Sequence, residues 1–259
     1  MLTTTLKRPA SVWEQLDLAS APSEGPVAFG DDLRPQTLLS AYRHGLYPFP
    51  AETIEHELLN ELSYEAEVAA GRVHVLDGSR APFAVAWCSP DPRPLISSDR
   101  PHLSRSLRRL LRRTEWTTTL DTCFTRVVEH CRQGRSEKWL TDELAASLNR
   151  LHECGYAHSI EVWEHGELIG GTFGVLINGV FSADSQFTLR SGAGKVAVTD
   201  LCRRLAEAGG TAVDVQRDSD HVQMLGASPV ARTAYLQLLT APGTVTLPTG
   251  PKPARRLDA

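Results

Sequence analysis

"AHSIEVWEHGELIGGTFGVLINGVFSADSQF", residues 157–187, is the stretch on which the fold turns. Three β-rich runs are separated by His165–Gly166 and Asn178–Gly179. Asn-Gly between such runs is the strongest short hairpin signal, because both residues accept the positive φ of a tight turn. The spacing predicts a three-stranded antiparallel meander. Next comes "GKVAVTDLCRRLAEAGG" (194–210), a helix with Val198, Leu201, Cys202 and Leu205 on its inward side. It feeds a strand, "TAVDVQ". "SDHVQMLGA" reads as a short helix, and "TAYLQLLT" leads to a last strand at about 243–247. The tail "TGPKPARRLDA" (249–259) is expected to be disordered.

Upstream, helices dominate. "TDELAASLNRLHECG" opens with a Thr141 cap and stops at Gly155. Another helix covers about 121–132. "HLSRSLRRLLRRT" (102–114) places Leu103, Leu107, Leu110 and Leu111 in one stripe, with Arg105, Arg108, Arg109, Arg112 and Arg113 opposite. "DPRPLI" reads as a loop. "RVHVLD" and "FAVAWCS" read as strands, residues 51–70 as an acidic helix and "RPQTLLSAYRHGLYPFP" as a short helix ending near Gly45. Residues 1–34, rich in Pro, Gly and Asp, read mostly as loop. The fold class is α/β (α+β). A small N-terminal domain (1–88) is expected before a larger one (89–248).

The chain has 259 residues, 41% hydrophobic and 22% charged, which is ordinary for a soluble globular protein. No window is apolar enough to cross a membrane, and the N-terminus lacks the apolar core of a secretory signal. Five cysteines without a CxxC pair imply free thiols in a reducing cytoplasm. Charge is uneven. Residues 1–70 hold four basic and eleven acidic residues, net −7, and residues 93–138 hold eleven basic and five acidic, net +6. One concentrated basic segment on a mildly acidic protein points to a polyanion bound at one place.

Familiar sites are absent: there is no GxxxxGK[ST], HExxH or GxSxG, and the nine histidines show no ligand pairing. No metal and no cofactor are expected. What remains is polar residues on strands. Ser182, Asp184 and Gln186 alternate onto one face of their strand, and Asp214 and Gln216 onto one face of "TAVDVQ". On neighbouring strands these groups converge with no cation beside them. Such a pocket orients an amine and stabilises an oxyanion; the alternative is a polar face open to water. The arginine helix has two readings as well: an ordinary charged outer face, or a phosphate-binding one. Its five Arg are unmixed with acids, and planar guanidinium suits phosphate.

"GDDLRPQTLLSAYRHGLYPF", "WCSPDPRPLI", "HLSRSLRR", "LHECGYAHSIEVWEHGELIGGTFGV", "DVQ" and "HVQMLGA" occur in this order over most of residues 30–236. In this the chain resembles the leucyl/phenylalanyl-tRNA–protein transferase family. The resemblance implies an enzyme with a small N-terminal domain and an acetyltransferase-like (GNAT-type) domain. It implies aminoacyl-tRNA as donor, an amine as acceptor, and no metal or small cofactor. Asp214 and Gln216 match the family's catalytic Asp-x-Gln, and Asp184 stands where the family has Glu. Gln186, Leu144, Trp87, Phe181 and Ser185 are expected in the aminoacyl pocket. Arg105, Arg108, Arg109, Arg112 and Lys195 are expected at tRNA.

The departures from the family pattern are local. Gly-Glu-Ser-Met-Phe is Ala183-Asp184-Ser185-Gln186-Phe187 here, Trp-Trp-Ser-Pro is Trp87-Cys88-Ser89-Pro90, and about 25 extra residues (near 51–75) lie between the first two motifs. Two enzymatic readings stay open. One adds Leu or Phe to proteins beginning with Lys or Arg. The other uses a smaller or more polar aminoacyl-tRNA to acylate a small-molecule amine. A tRNA-binding protein without catalysis is the third reading.

Overall fold

In the computed structural model, which describes residues 12–133, 138–241 and 243–258, the chain builds two sheets in succession. The first contains β1 (Pro26–Gly30), β2 (Tyr47–Pro50), β3 (His74–Val75) and β4 (Val85–Cys88), in the order β2-β4-β1-β3. Helices α1 (Pro35–Arg43) and α2 (Ile54–Ala69) lie between these strands in sequence. The second sheet starts with β5 (Arg93–Ser97). It continues, after α3 (Arg105–Arg113), with β6 (Thr117–Leu120). Then follow α4 (Phe124–Arg132), α5 (Asp142–Glu153), β7 (Ala157–Glu164), β8 (Glu167–Ile177) and β9 (Val180–Thr188). The chain goes on through α6 (Ala193–Glu207), β10 (Ala212–Asp214), α7 (Asp220–Gln223), β11 (Ser228–Val230), α8 (Arg232–Thr240) and β12 (Lys252–Pro253). The eight strands are ordered β11-β5-β10-β9-β8-β7-β6-β12, a mixed α/β arrangement.

The expected meander is β7–β8–β9. Its turns work as the residue types demand: His165 and Gly166 take φ of 50° and 83°, Asn178 and Gly179 take 46° and 88°. Only residues tolerant of the left-handed region close such hairpins cheaply. The sheet is covered on both faces. On one, Phe173, Val175 and Phe187 join Phe29, Leu38, Tyr42 and Trp87 of the first sheet's surroundings in one buried cluster. On the other, Phe181 and Val213 pack under Val198, Leu201 and Leu205 of α6. Each fully buried side chain of this size contributes about 1.5–3 kcal/mol.

Several expectations need correcting. The segment 1–34 contains the fully buried strand β1 and a 3-10 turn at Val12–Gln15; its first eleven residues lie outside the described ones. "DPRPLI" is not a loop but β5, seated between β11 and β10. Its arginine and prolines disguised it: Pro94 lies opposite Pro229, so the missing donors fall together, and Arg93 is neutralised within the protein. No strand forms at 243–247; Leu247 is buried without a ladder partner. The tail is not disordered over 252–258. It adds β12 to β6 and a 3-10 helix, Ala254–Asp258, whose Ala254 and Leu257 are buried; residue 259 lies outside the described residues.

Candidate active site

The site is built where β10 stops short. β10 pairs in parallel with β9, Asp214 opposite Ser182, and β9 then runs on past it. Just beyond Ser182, β9 bulges. Phe173 of β8 pairs with Ser185 and Gly174 with Ala183, so Asp184 is the extra residue. A bulge re-aims one side chain and flips those after it. The neighbouring glycine permits it: a Cβ on Gly174 would lie 1.9 Å from the Ser182 carbonyl oxygen. Ser182 and Asp184 therefore face α1, and Gln186 turns to the α6 side, where its amide meets His221 Nε2. The expectation that Gln186 shares the face of Asp184 fails on this one inserted residue.

Asp214 is wholly buried and saturated. Its Oδ1 accepts from Arg93 Nε (2.8 Å) and the Gln216 backbone N–H (2.9 Å). Its Oδ2 accepts from Arg93 Nη2 (2.8 Å), Ser182 Oγ (2.9 Å) and Tyr235 Oη (2.9 Å). Arg93 also lies between the rings of Tyr47 and Tyr235, 4.9 and 4.6 Å from their centroids, and donates to the Gly45 carbonyl (3.3 Å). The expected absence of a cation is thus overturned: a buried bidentate ion pair is the bolt of the site. A carboxylate sealed in this way positions its neighbours.

Gln216 reaches the site by a turn rather than by strand alternation. β10 ends at Asp214, and Gln216 adopts φ 64°, held by its N–H to Asp214. A positive φ in a non-glycine residue is uncommon and is kept here by that bond. The turned side chain donates through Nε2 to Ser182 Oγ (3.2 Å) and Asp184 Oδ1 (2.6 Å). Tyr42 Oη donates to the same Oδ1 at 2.7 Å, carrying α1 into the site. Asp184 Oδ2 is buried and no described residue bonds it. Burial raises the Asp184 carboxyl to about 7, against the downward pull of the Tyr42 and Gln216 hydrogen bonds, with Asp214 adding to the rise. Buried polar atoms are normally paired, so an open oxygen on a carboxyl of this kind marks a place for an incoming donor.

The other sequence candidates are dispersed. Trp87 and Leu144 lie in the first apolar cluster, Trp87 edge-on to Trp13 at 4.7 Å. Phe181 lies in the second cluster. Ser185 follows Asp184 in the bulge, its carbonyl accepting from Thr172 Oγ1 (2.8 Å). Lys195 is in the first turn of α6. After burial, it is the second cause holding the His221 imidazole below its ordinary value. Arg105 and Arg109 are exposed on α3, whereas Arg108 and Arg112 pair with Asp258 at 3.3 and 2.5 Å. Arg93, Tyr42 and Tyr235 were missed. The usable signal was the chemistry of Asp214 itself, since a carboxylate on a buried strand requires a cation, and Arg93 stands two residues before the apolar pair Leu95–Ile96.

A sequence profile described as leucyl/phenylalanyl-tRNA protein transferase matches residues 95–240. Among curated proteins, the leucyl/phenylalanyl-tRNA–protein transferase of Stutzerimonas stutzeri (strain A1501) is 34% identical over 239 residues, covering 91% of this chain and 93% of the relative. The protein of the same name from Erwinia tasmaniensis is 35% identical, covering 86% and 85%. That of Xanthomonas campestris pv. campestris (strain B100) is 34% identical, covering 88% and 82%.

Proposed function

This chain belongs to the leucyl/phenylalanyl-tRNA–protein transferase family and is an aminoacyl-tRNA-dependent aminoacyltransferase, and we propose that it moves Leu or Phe from tRNA to the α-amino group of a protein beginning with Lys or Arg. The observation that carries this reading is the open Asp184 Oδ2 beside the Gln216 amide. Both faces of an attacking amine are provided for. Gln216 spends its amide hydrogens on Ser182 and Asp184, which leaves its carbonyl oxygen to accept from one amine N–H. Asp184 Oδ2 accepts from another.

The amine nitrogen attacks the ester carbonyl carbon. As the C–N bond forms, Asp184 takes the proton that the nitrogen loses. The bond from that carbon to the ribose oxygen breaks, and Asp184 returns the proton to the ribose oxygen. Asp214, locked by Arg93, Tyr235 and Ser182, fixes the backbone from which Gln216 springs. The ester is already activated, so positioning supplies much of the rate. Carboxyl and leaving group exchange one proton with no net acid or base consumed.

Several parts of the reading stand around this centre. The acetyltransferase-like architecture is supported by the parallel β9–β10 pair joined through α6, with the site at the end of the shorter strand. A cytoplasmic setting is supported by five unbridged cysteines. Arg105 and Arg109 of α3, with Lys195, are assigned to tRNA phosphates, whereas Arg108 and Arg112 are engaged by Asp258. The reading with a smaller or more polar aminoacyl group loses the support of Gln186, which does not share the face of Asp184. The test is a panel of radiolabelled aminoacyl-tRNAs offered with an Arg-starting peptide and with a simple amine. Label from Leu and Phe should pass to the peptide. Label passing only to the simple amine would overturn the reading.

A further inference from the structure

The arginines of α3 are not equivalent. Arg105, Arg109 and Arg113 are exposed, and no described residue pairs with them. They recur every four residues, a row along one side of the helix with about 6 Å of axial rise between members. Arg108 and Arg112 form the adjacent row, and both close on one carboxylate, Asp258. That carboxylate is delivered by a firmly seated segment. Ala254 and Leu257 are buried, Arg256 pairs with the buried Asp200, and Lys252–Pro253 is laddered to β6. Arg112 first, and Arg108 after it, hold the Asp258 carboxyl below its ordinary range, so it stays charged.

A carboxylate spanning two guanidinium groups presents the same charge and the same paired acceptors as a phosphate. We propose that Asp258 is a built-in counter-anion that reserves Arg108 and Arg112 for the C-terminal segment, so that RNA phosphates are taken by the row Arg105, Arg109 and Arg113. A phosphate that would reach Arg108 or Arg112 must first displace Asp258. The competitor is tethered, and an intramolecular anion outcompetes a dilute one. This rests on the reading that α3 faces tRNA. Within that reading, it says which arginines make the contact and what limits their number.

The experiment is binding of an uncharged tRNA transcript to the full chain, followed by fluorescence anisotropy from 50 to 200 mM salt. Each phosphate contact changes the affinity ratio across that range by about threefold. Arg105→Ala with Arg109→Ala should remove about two contacts and flatten the salt dependence accordingly. Arg108→Ala with Arg112→Ala should leave the salt slope near that of the unmodified chain. Asp258→Asn should free two arginines and steepen the slope by up to about two contacts. Should the first pair change nothing, α3 does not face tRNA and the parent reading fails. Should both pairs flatten the slope alike while Asp258→Asn leaves it unchanged, α3 faces tRNA and the reservation by Asp258 is refuted. Thermal unfolding of each variant separates a loose tail from a lost contact, and Arg108→Ala with Arg112→Ala keeps the inference testable if Asp258→Asn unseats the segment.

Discussion

Asp184→Asn isolates the oxygen proposed to accept the proton from everything else at the site. Both donors to Asp184, Tyr42 Oη at 2.7 Å and Gln216 Nε2 at 2.6 Å, end on Oδ1. An asparagine keeps an acceptor at that position, so the hydrogen bonds that shape the site survive. Only the open Oδ2 changes, from an acceptor to an N–H₂ donor. A lost general base costs roughly 10²- to 10⁴-fold in rate. In the native enzyme the carboxyl titrates at about 7, so the rate should climb as pH rises through that value. The variant should lose that inflection and retain only the one belonging to the acceptor's amino group, near 8. The assay is transfer of labelled Phe from tRNA to an Arg-starting peptide between pH 5.5 and 9, with tRNA affinity measured in parallel. Retention of near-native rates with the inflection at 7 intact would refute the role given to Asp184.

Other outcomes follow from the same geometry. Gln216→Ala should lower turnover roughly 10²- to 10³-fold while leaving tRNA affinity nearly unchanged, as steady-state and binding assays would separate. Gly174→Ala should destabilise the fold by about 3 kcal/mol or more in urea titration, because the new methyl would collide with the Ser182 carbonyl and the Phe181 ring. Stability should also depend on pH through Asp184. Its carboxyl rises from the ordinary 3.8 to about 7 on folding, so the folded state holds a proton that the unfolded one has lost between these values. The stabilisation is full below about 4 and falls by about 1.4 kcal/mol per pH unit toward 7. Urea midpoints of Asp184→Asn should lack this decline.

The parts of the fold set by local chemistry were legible. Asn178–Gly179 and His165–Gly166 require positive φ, and the meander follows from them. The stripes on α3 and α6 gave their buried sides. What escaped depended on partners distant in sequence. β5 was hidden because Arg93 makes sense on a buried strand only once Asp214, 121 residues away, is known to face it. The ordered tail escaped for a similar reason: "KPARRLD" has little apolar content, and its place is fixed by β6, Asp200 and the α3 arginines. Asp214, Gln216 and Asp184 were named correctly as neighbours, but by way of strand alternation. The actual route is a bulge at Asp184 and a left-handed turn at Gln216, and period-two reasoning carries no trace of either. The same bulge sends Gln186 to the opposite face.

The proposed reaction joins a tRNA-borne Leu or Phe to a protein's free α-amino group. Purified protein should be mixed with Phe-tRNA labelled on the amino acid and a peptide beginning with Arg, beside the same peptide acetylated at its N-terminus. Label should reach the free peptide and not the acetylated one, with equal loss of label from tRNA and gain on peptide. Label that stays on tRNA, or that reaches both peptides alike, would contradict the proposed reaction.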